Sequence, residues 1–262
     1  MKLLAIDSAT EACSAAVWID GAVLARYEVI GRGHAERLLP MVDELLAESG
    51  LRLQQLDALA FGRGPGAFTG IRIGVGLAQG LAFGADLPLV PVSSLAALAR
   101  LALDTYAVEA GPPRGEERAV AGLRAGDAII GAAGPRALVC LDARMNEVYW
   151  AEACGRPDGG VELVAERLGT AASVELSAAA AALPLIGAGH GWAAHPAMRE
   201  SFPQLVACWP ELLPRAHEIA ALAALEVAAG RTVSAEDAAP VYLRDDVATR
   251  SGRGPYKTPA AP

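Results

Sequence analysis

The stretch from Phe61 to Gly84 constrains the fold more than any other. It reads Phe-Gly-Arg-Gly-Pro-Gly-Ala-Phe-Thr-Gly, then Ile-Arg-Ile-Gly-Val-Gly-Leu-Ala-Gln-Gly-Leu-Ala-Phe-Gly. The first half is a glycine-rich loop in which Thr69 is placed to cap a helix. The second half has helical length and apolar content, yet it carries Gly70, Gly74, Gly76, Gly80 and Gly84. An interior helical glycine costs roughly 1 kcal/mol against alanine, so packing must compensate. On a helical projection the five glycines fall on one half of the cylinder, interleaved with Ile73, Leu77 and Leu81. Ile71, Val75, Ala78 and Ala82 form a second apolar strip, and only Arg72 and Gln79 mark a polar edge. A helix apolar nearly all round is buried on more than one side, and glycines four residues apart admit another backbone closely. One face is expected to pack on the sheet of this domain and the other to meet a second helix, from this or another chain. A helix wholly buried within one subunit is the alternative.

Composition sets the outer bounds. The chain has 262 residues, 53% hydrophobic and 20% charged, enough for one large globular domain or two small ones. No apolar run reaches the roughly 18–20 residues of a membrane span. Met1 to Asp7 lacks the apolar region and cleavage site of a signal peptide, so a cytoplasmic protein is expected. Cys13, Cys140, Cys154 and Cys208 form no CxxC pair, which indicates neither a zinc site nor a disulfide framework. A net charge of −8 argues against a broad basic surface that grips nucleic acid unaided, but leaves room for RNA contact through a partner.

Taken in order, Lys2–Ile6 reads as a buried strand and Asp7-Ser8-Ala9-Thr10 as a polar turn. Ser14–Ile19 and Ala22–Val29 form a hairpin about Asp20-Gly21. A helix from His34 to about Glu48 carries an apolar arc that includes Leu38, Met41, Val42 and Leu45 and is wide for a helix resting on one surface. Leu56–Phe61 and Leu87–Val92 are further strands, and Ser93 or Ser94 caps a helix through about Leu103. This gives an α/β lobe over residues 1–103. Residues 104–136, rich in Gly and Pro, read as a linker or insertion, residues 137–243 as a second lobe, and 244–262 as a tail. Within the second lobe, Thr170–Leu183 reads as helical, Pro184–Ile186 as a strand and Ala216–Ala229 as a helix.

The chemical candidates are few. Asp7, Ser8 and Thr10 suit Mg²⁺ and phosphate oxygens, or else form an ordinary buried turn. Gly64, Gly66 and Thr69, ahead of a helix, suit an anion held by free N–H groups, or else a tight turn. The loop is neither a Walker loop nor a dinucleotide fingerprint. His34, His190, His195 and His217 show no metal-ligand spacing, and no nucleophile elbow is present. No catalytic set and no metal site emerge, which favours a binding or scaffold subunit.

Four motifs together are more specific. Leu4–Thr10, Gly62–Gly74, Leu141–Arg144 with Glu147-Val148-Tyr149, and Pro240–Arg244 resemble the TsaB family, formerly YeaZ, over nearly the whole chain. The resemblance implies an α/β actin/hexokinase/Hsp70-like fold of two related lobes, each with a mixed sheet flanked by helices. It implies a non-catalytic scaffold and dimerisation subunit that binds and activates a TsaD-type transferase, in the N6-threonylcarbamoyladenosine modification of tRNA next to the anticodon. A TsaE-type ATPase is a further partner. tRNA is met through the complex, and a homodimer is expected when the chain is alone. The family's partner contact uses the helices matching His34–Glu48 and Gly70–Gly84. The expected interface residues are therefore Leu38, Met41, Val42, Leu45, Gly70, Ile73, Gly74, Leu77, Gly80 and Leu81. TsaD-type relatives carry two metal-binding histidines where this chain has Ser93-Ser94-Leu95-Ala96-Ala97, so no metal and no transfer chemistry of its own is expected. No cofactor belongs to the chain itself; ATP or ADP is considered only at the interface of the assembled complex. The competing reading is a nucleotide-binding phosphotransferase of the same superfold using Asp7, Thr10 and the Gly64–Thr69 loop.

Overall fold

The computed structural model describes residues 1–110, 134–178 and 183–244. Most of the expected insertion, and the tail beyond Arg244, lie outside the described residues. The apolar run after Met1 becomes β1 (Lys2–Asp7), with Leu3, Leu4, Ala5 and Ile6 all fully buried. It pairs antiparallel with β2 (Ala12–Ile19), which pairs antiparallel with β3 (Ala22–Val29). The two-residue turn between them has positive φ at both Asp20 (48°) and Gly21 (101°), as a hairpin of matching twist requires. After α1 (His34–Ser49), β4 (Ala58–Gly62) joins β1 in parallel. After α2 (Phe68–Ala85), β5 (Leu89–Val92) joins β4 in parallel. The sheet order is β3-β2-β1-β4-β5.

The second sheet repeats this plan. It contains β6 (Arg136–Asp142), β7 (Glu147–Gly155), β8 (Val161–Leu163), β9 (Arg167–Thr170), β10 (Leu185–Ala188) and β11 (Leu205–Trp209). Its order is β11-β10-β6-β7-β8, with β9 also on β7. β6 and β7 are antiparallel, whereas β6, β10 and β11 run parallel. Thus β6 stands where β1 does, β7 for β2, β10 for β4 and β11 for β5. Two lobes built on one mixed-sheet topology are the hallmark of the actin/hexokinase/Hsp70-like fold expected from the motifs.

The helices are shared between the lobes. α1 and α2 cover one face of the first sheet, where Leu38, Met41, Leu45, Ile71, Val75 and Ala78 pack on Leu4, Ile6, Leu59 and Phe61. Its other face is covered by α5 (Ala216–Ala228), which follows the second sheet; Ile219, Ala220 and Ala223 meet Leu3, Ala5, Ala60 and Val90 there. Conversely α3 (Ser94–Ala110), which follows the first sheet, packs Leu95, Leu98 and Ala102 on Val139, Leu141 and Ile186 of the second. The remaining face of the second sheet is closed by Trp192 in the short α4 (Gly191–Ala194), with Met198 and Phe202. Each lobe therefore completes its core with a helix from the other.

Three local expectations change, and the choice between Ser93 and Ser94 is resolved. Ala67, not Thr69, is the N-cap of α2, and no side chain caps it; Thr69 is the second helical residue. Ser93 caps α3, its Oγ accepting from Ala96 N–H at 3.1 Å. That helix runs on to Ala110 rather than ending near Leu103, because the Arg100–Asp104 pair at 2.7 Å and Tyr106 on the second core extend its useful face. The expected helix from Thr170 is instead the end of β9 and a single 3₁₀ turn, Ala171–Ser173. Pairing of β9 with Tyr149 and Trp150, and capture of Ser177 by Glu152, override helix propensity there. Residues 179–182 of that expectation lie outside the described residues.

Candidate functional site

The glycine loop lies directly on the β1–β2 turn. Ala67 N–H donates to Ala9 O at 2.7 Å, and Ser8 Oγ donates to Gly70 O at 2.9 Å. A Cβ at Gly62 would sit 1.8 Å from Asp7 Oδ1, at Gly66 2.2 Å from Ala9 O, and at Gly70 2.0 Å from Ser8 O. At Gly74 it would stand 2.8 Å from Ser8 Oγ. These glycines are required by contacts inside the chain. Gly64, at φ 96°, faces Ile71 and Val241 O instead.

The consequence for the acidic residue is large. Asp7 is only 1% exposed; one oxygen accepts from Ala9 N–H at 3.3 Å and the other has no partner among the described residues. Burial pushes its carboxyl up to about 7, with the Ala9 N–H opposing more weakly. Ser8 and Thr10 are also buried, and the Thr10 hydroxyl is used locally, accepting from Ala12 N–H at 3.2 Å.

Beside this sealed turn runs an open cleft of about 740 Å³ between the lobes. Thr10, Gly66 and Thr69 line it; Asp7, Ser8 and Gly64 do not. Opposite them stands the β6–β7 turn, where Asp142 and Arg144 pair at 3.2 Å. Asp142 N–H donates to His190 Nδ1 at 2.9 Å, which leaves Nε2 as the protonated nitrogen toward Glu11, 3.4 Å away. That contact lowers the Glu11 carboxyl pKa. The segment ending at Arg244 straps the lobes across this cleft. Val241 N–H donates to Arg63 O, the Tyr242 ring meets Phe68 at 5.4 Å, and Arg72 Nε donates to the Tyr242 hydroxyl. Arg244 then holds Ala143 O at 3.0 Å and Glu147 at 2.6 Å. The Glu11–His190 contact and the strap were not evident in the sequence, since both join residues far apart in the chain. Among the described residues no group of three or more His, Cys, Asp or Glu is arranged to hold a metal ion.

The helical interface residues divide sharply. Leu38, Met41, Val42 and Leu45 are buried in the core of this chain, facing the sheet and not a partner. Gly70 and Gly74 are likewise used up on Ser8. Ile73, Leu77 and Leu81 are partly buried at the border of the same core. Gly80 lies outside, and so do Gly76 and Gly84: a Cβ at any of these three meets nothing within 4 Å. They share a stripe of α2 near Phe83, which is 76% exposed, and Leu39 of α1 is also exposed. The outward residues missed by the sequence reading are thus Leu39, Gly76, Phe83 and Gly84. Their signal lay in the phase of the helix: 76, 80 and 84 are four apart, in a row that starts two residues, about 200° of rotation, after the inward 70 and 74.

A family model described as TsaD, tRNA N6-adenosine threonylcarbamoyltransferase, matches residues 27–111, which span α1 through α3. Over 260 residues the chain is 40% identical to the Escherichia coli K12 protein named tRNA threonylcarbamoyladenosine biosynthesis protein TsaB, covering 95% of this chain and 96% of that one. The chain belongs to the TsaB family. The Haemophilus influenzae TsaB is 37% identical over 258 residues, covering 94% of this chain and 95% of its own. Among solved structures, YeaZ from Pseudomonas aeruginosa superposes with a TM-score of 0.75 at 42% identity, covering 92% of this TsaB-family chain and 99% of that one. A second Pseudomonas aeruginosa structure, described as an uncharacterized protein with similarity to peptidase YEAZ, gives the same TM-score and identity over 93% of this chain and 99% of its own. No helix among the described residues is long and apolar enough to cross a membrane.

Proposed function

We propose that this chain is a non-catalytic scaffold and dimerisation subunit in N6-threonylcarbamoyladenosine biosynthesis on tRNA. In this reading it works in the cytoplasm and holds a TsaD-type transferase through the outer stripe of α2. A TsaE-type ATPase joins the assembly, tRNA is engaged through the complex, and ATP or ADP enters only once the complex has formed. Alone, the chain pairs with a second copy through the same stripe. The observation that carries the reading is the division among the α2 glycines. Gly70 and Gly74 are explained by contacts within the chain, whereas Gly76, Gly80 and Gly84 leave open space beside an exposed Phe83. Three uncompensated helical glycines cost about 1 kcal/mol each, which the approach of a partner backbone offsets.

The phosphotransferase reading is disfavoured by the β1–β2 turn. Its metal carboxylate would be Asp7, which is sealed under the glycine loop and whose carboxyl burial pushes up to about 7, disfavouring the charged form a metal needs. Reconstitution tests the proposal: TsaD-type transferase, TsaE-type ATPase, threonylcarbamoyl-AMP, ATP and tRNA are incubated with and without this chain. Modified adenosine is expected only with the chain present, and none from the chain alone. Full modification without it, or ATP turnover by the chain alone, would overturn the reading.

A further inference from the structure

We infer that the free edge of β3 is a docking surface for a second copy of this chain, paired strand to strand about a two-fold axis at Tyr27. This contact is separate from the outer stripe of α2 and does not rest on it. β3 is the outermost strand of the first sheet and is bonded to β2 alone among the described residues. Its eight residues exceed the common strand length of about five to six, whereas natural edges are usually kept short or covered. The two-residue turn at Asp20-Gly21 sets which backbone groups are free. It makes Ile19 and Ala22 a bonded pair, so Ala22, Leu24, Arg26 and Glu28 spend their backbone bonds on β2. The N–H and C=O groups of Ala25, Tyr27 and Val29 therefore point outward, with no backbone partner among the described residues. All three residues are exposed, Tyr27 by 41% and Val29 by 60%.

The charge pattern of the edge selects the occupant. Charged side chains on an edge strand usually discourage pairing with another chain. Here Arg26 and Glu28 stand two residues apart on one face with opposite signs, and the pattern is complementary to itself. With two copies antiparallel about Tyr27, Arg26 faces Glu28 of the partner subunit, and the same pair recurs across the axis. Tyr27 then meets its own counterpart, and Ala25 faces Val29. Moving the axis by one residue sets Arg26 against Arg26 or Glu28 against Glu28, which is destabilising. The pairs within each chain extend the match. Arg26 is held by Glu48 and by Glu44 at 3.5 Å, and Arg37 holds Glu28 at 2.6 Å. Across the junction the order is Glu48, Arg26, Glu28, Arg37, alternating in sign throughout. On the opposite face Ala25, Tyr27 and Val29 gain cover from one another.

Amide hydrogen exchange of the full chain, read at Ala25, Tyr27 and Val29, tests the contact. Pairing through α2 leaves these amides free, so failure of the stripe and failure of the edge are told apart. At high chain concentration the three amides should exchange about tenfold or more slowly than in an isolated edge strand. Arg26→Glu and Glu28→Arg each place like charges across the axis, and each variant alone should lose that protection. An equimolar mixture of the two variants again sets opposite charges against each other, and protection should return. Recovery on mixing separates the contact from misfolding of either variant, and thermal unfolding of each checks its fold. Fast exchange in the wild-type chain at every concentration would overturn the inference. Protection that both variants keep when alone would overturn it too, since another segment of the same chain would then cover the edge. Loss in both variants without recovery in the mixture would also count against it.

Discussion

At the residue scale the decisive group is Asp7. Its folded carboxyl titrates near 7 against an ordinary 3.8, because burial disfavours the charge. The unfolded chain therefore releases this proton first, from about pH 4, while the folded chain keeps it until near 7. Stability from this group is complete below about pH 4 and falls as pH rises to about 7, by at most about 1.4 kcal/mol per pH unit. Asp7→Asn should flatten that fall in urea unfolding followed between pH 4 and 8; an unchanged slope would mean that Asp7 is hydrated. Glycines give a second residue-scale contrast. Gly70→Ala drives a methyl into the backbone of Ser8 and should cost about 3 kcal/mol. Gly80→Ala meets open space and should stabilise the isolated chain by about 0.5–1 kcal/mol. Chemical denaturation of the pair checks both signs, and equal effects would remove the distinction on which the interface rests.

At the element scale, α2 was legible as a helix with two apolar sides, and its identity as the organising element was visible in its glycines. The assignment of individual residues to a side was not. Periodicity places Gly70 and Gly80 on one half of the cylinder, but only the path of the β1–β2 turn decides which of them another part of the chain already covers. The same limit applied to α1, where a wide apolar arc suggested a partner; Leu38, Met41, Val42 and Leu45 are instead consumed by the sheet beneath them. Leu205–Trp209, which the sequence analysis left unassigned, is β11, and the β-prone run between Pro203 and Pro210 was the signal that would have found it. β9 carried no such signal, since its strand character comes from pairing with Tyr149 and Trp150 rather than from local propensity. The cleft was half visible: the N-terminus of α2 was expected to suit an anion, but His34, Arg32 and the second helix end join it only through tertiary structure.

At the scale of the whole molecule, two related lobes could be read from the motifs, but the exchange of α3 and α5 between them could not. Sequence order places α3 with the first sheet, while its Leu95, Leu98 and Ala102 belong to the second. A fragment of residues 1–110 would expose Leu3, Ala5, Ala60 and Val90, which α5 covers in the full chain. It should show no cooperative thermal transition, and a sharp one would mean that the lobes fold independently. The strap of Val241–Arg244 and the Arg63–Glu166 pair at 2.8 Å add interlobe contacts to the shared core. Such a body is suited to presenting α2 as a rigid surface.

The most direct test of that role is light scattering during size exclusion, with the chain and a TsaD-type transferase run separately and mixed. The wild-type chain should form a heteromeric complex. Gly80→Leu, at a position where an added Cβ meets no described atom within 4 Å, should remain folded and elute without the transferase. A Gly80→Leu chain that binds the transferase as the wild type does would contradict the assignment of this stripe as the contact surface.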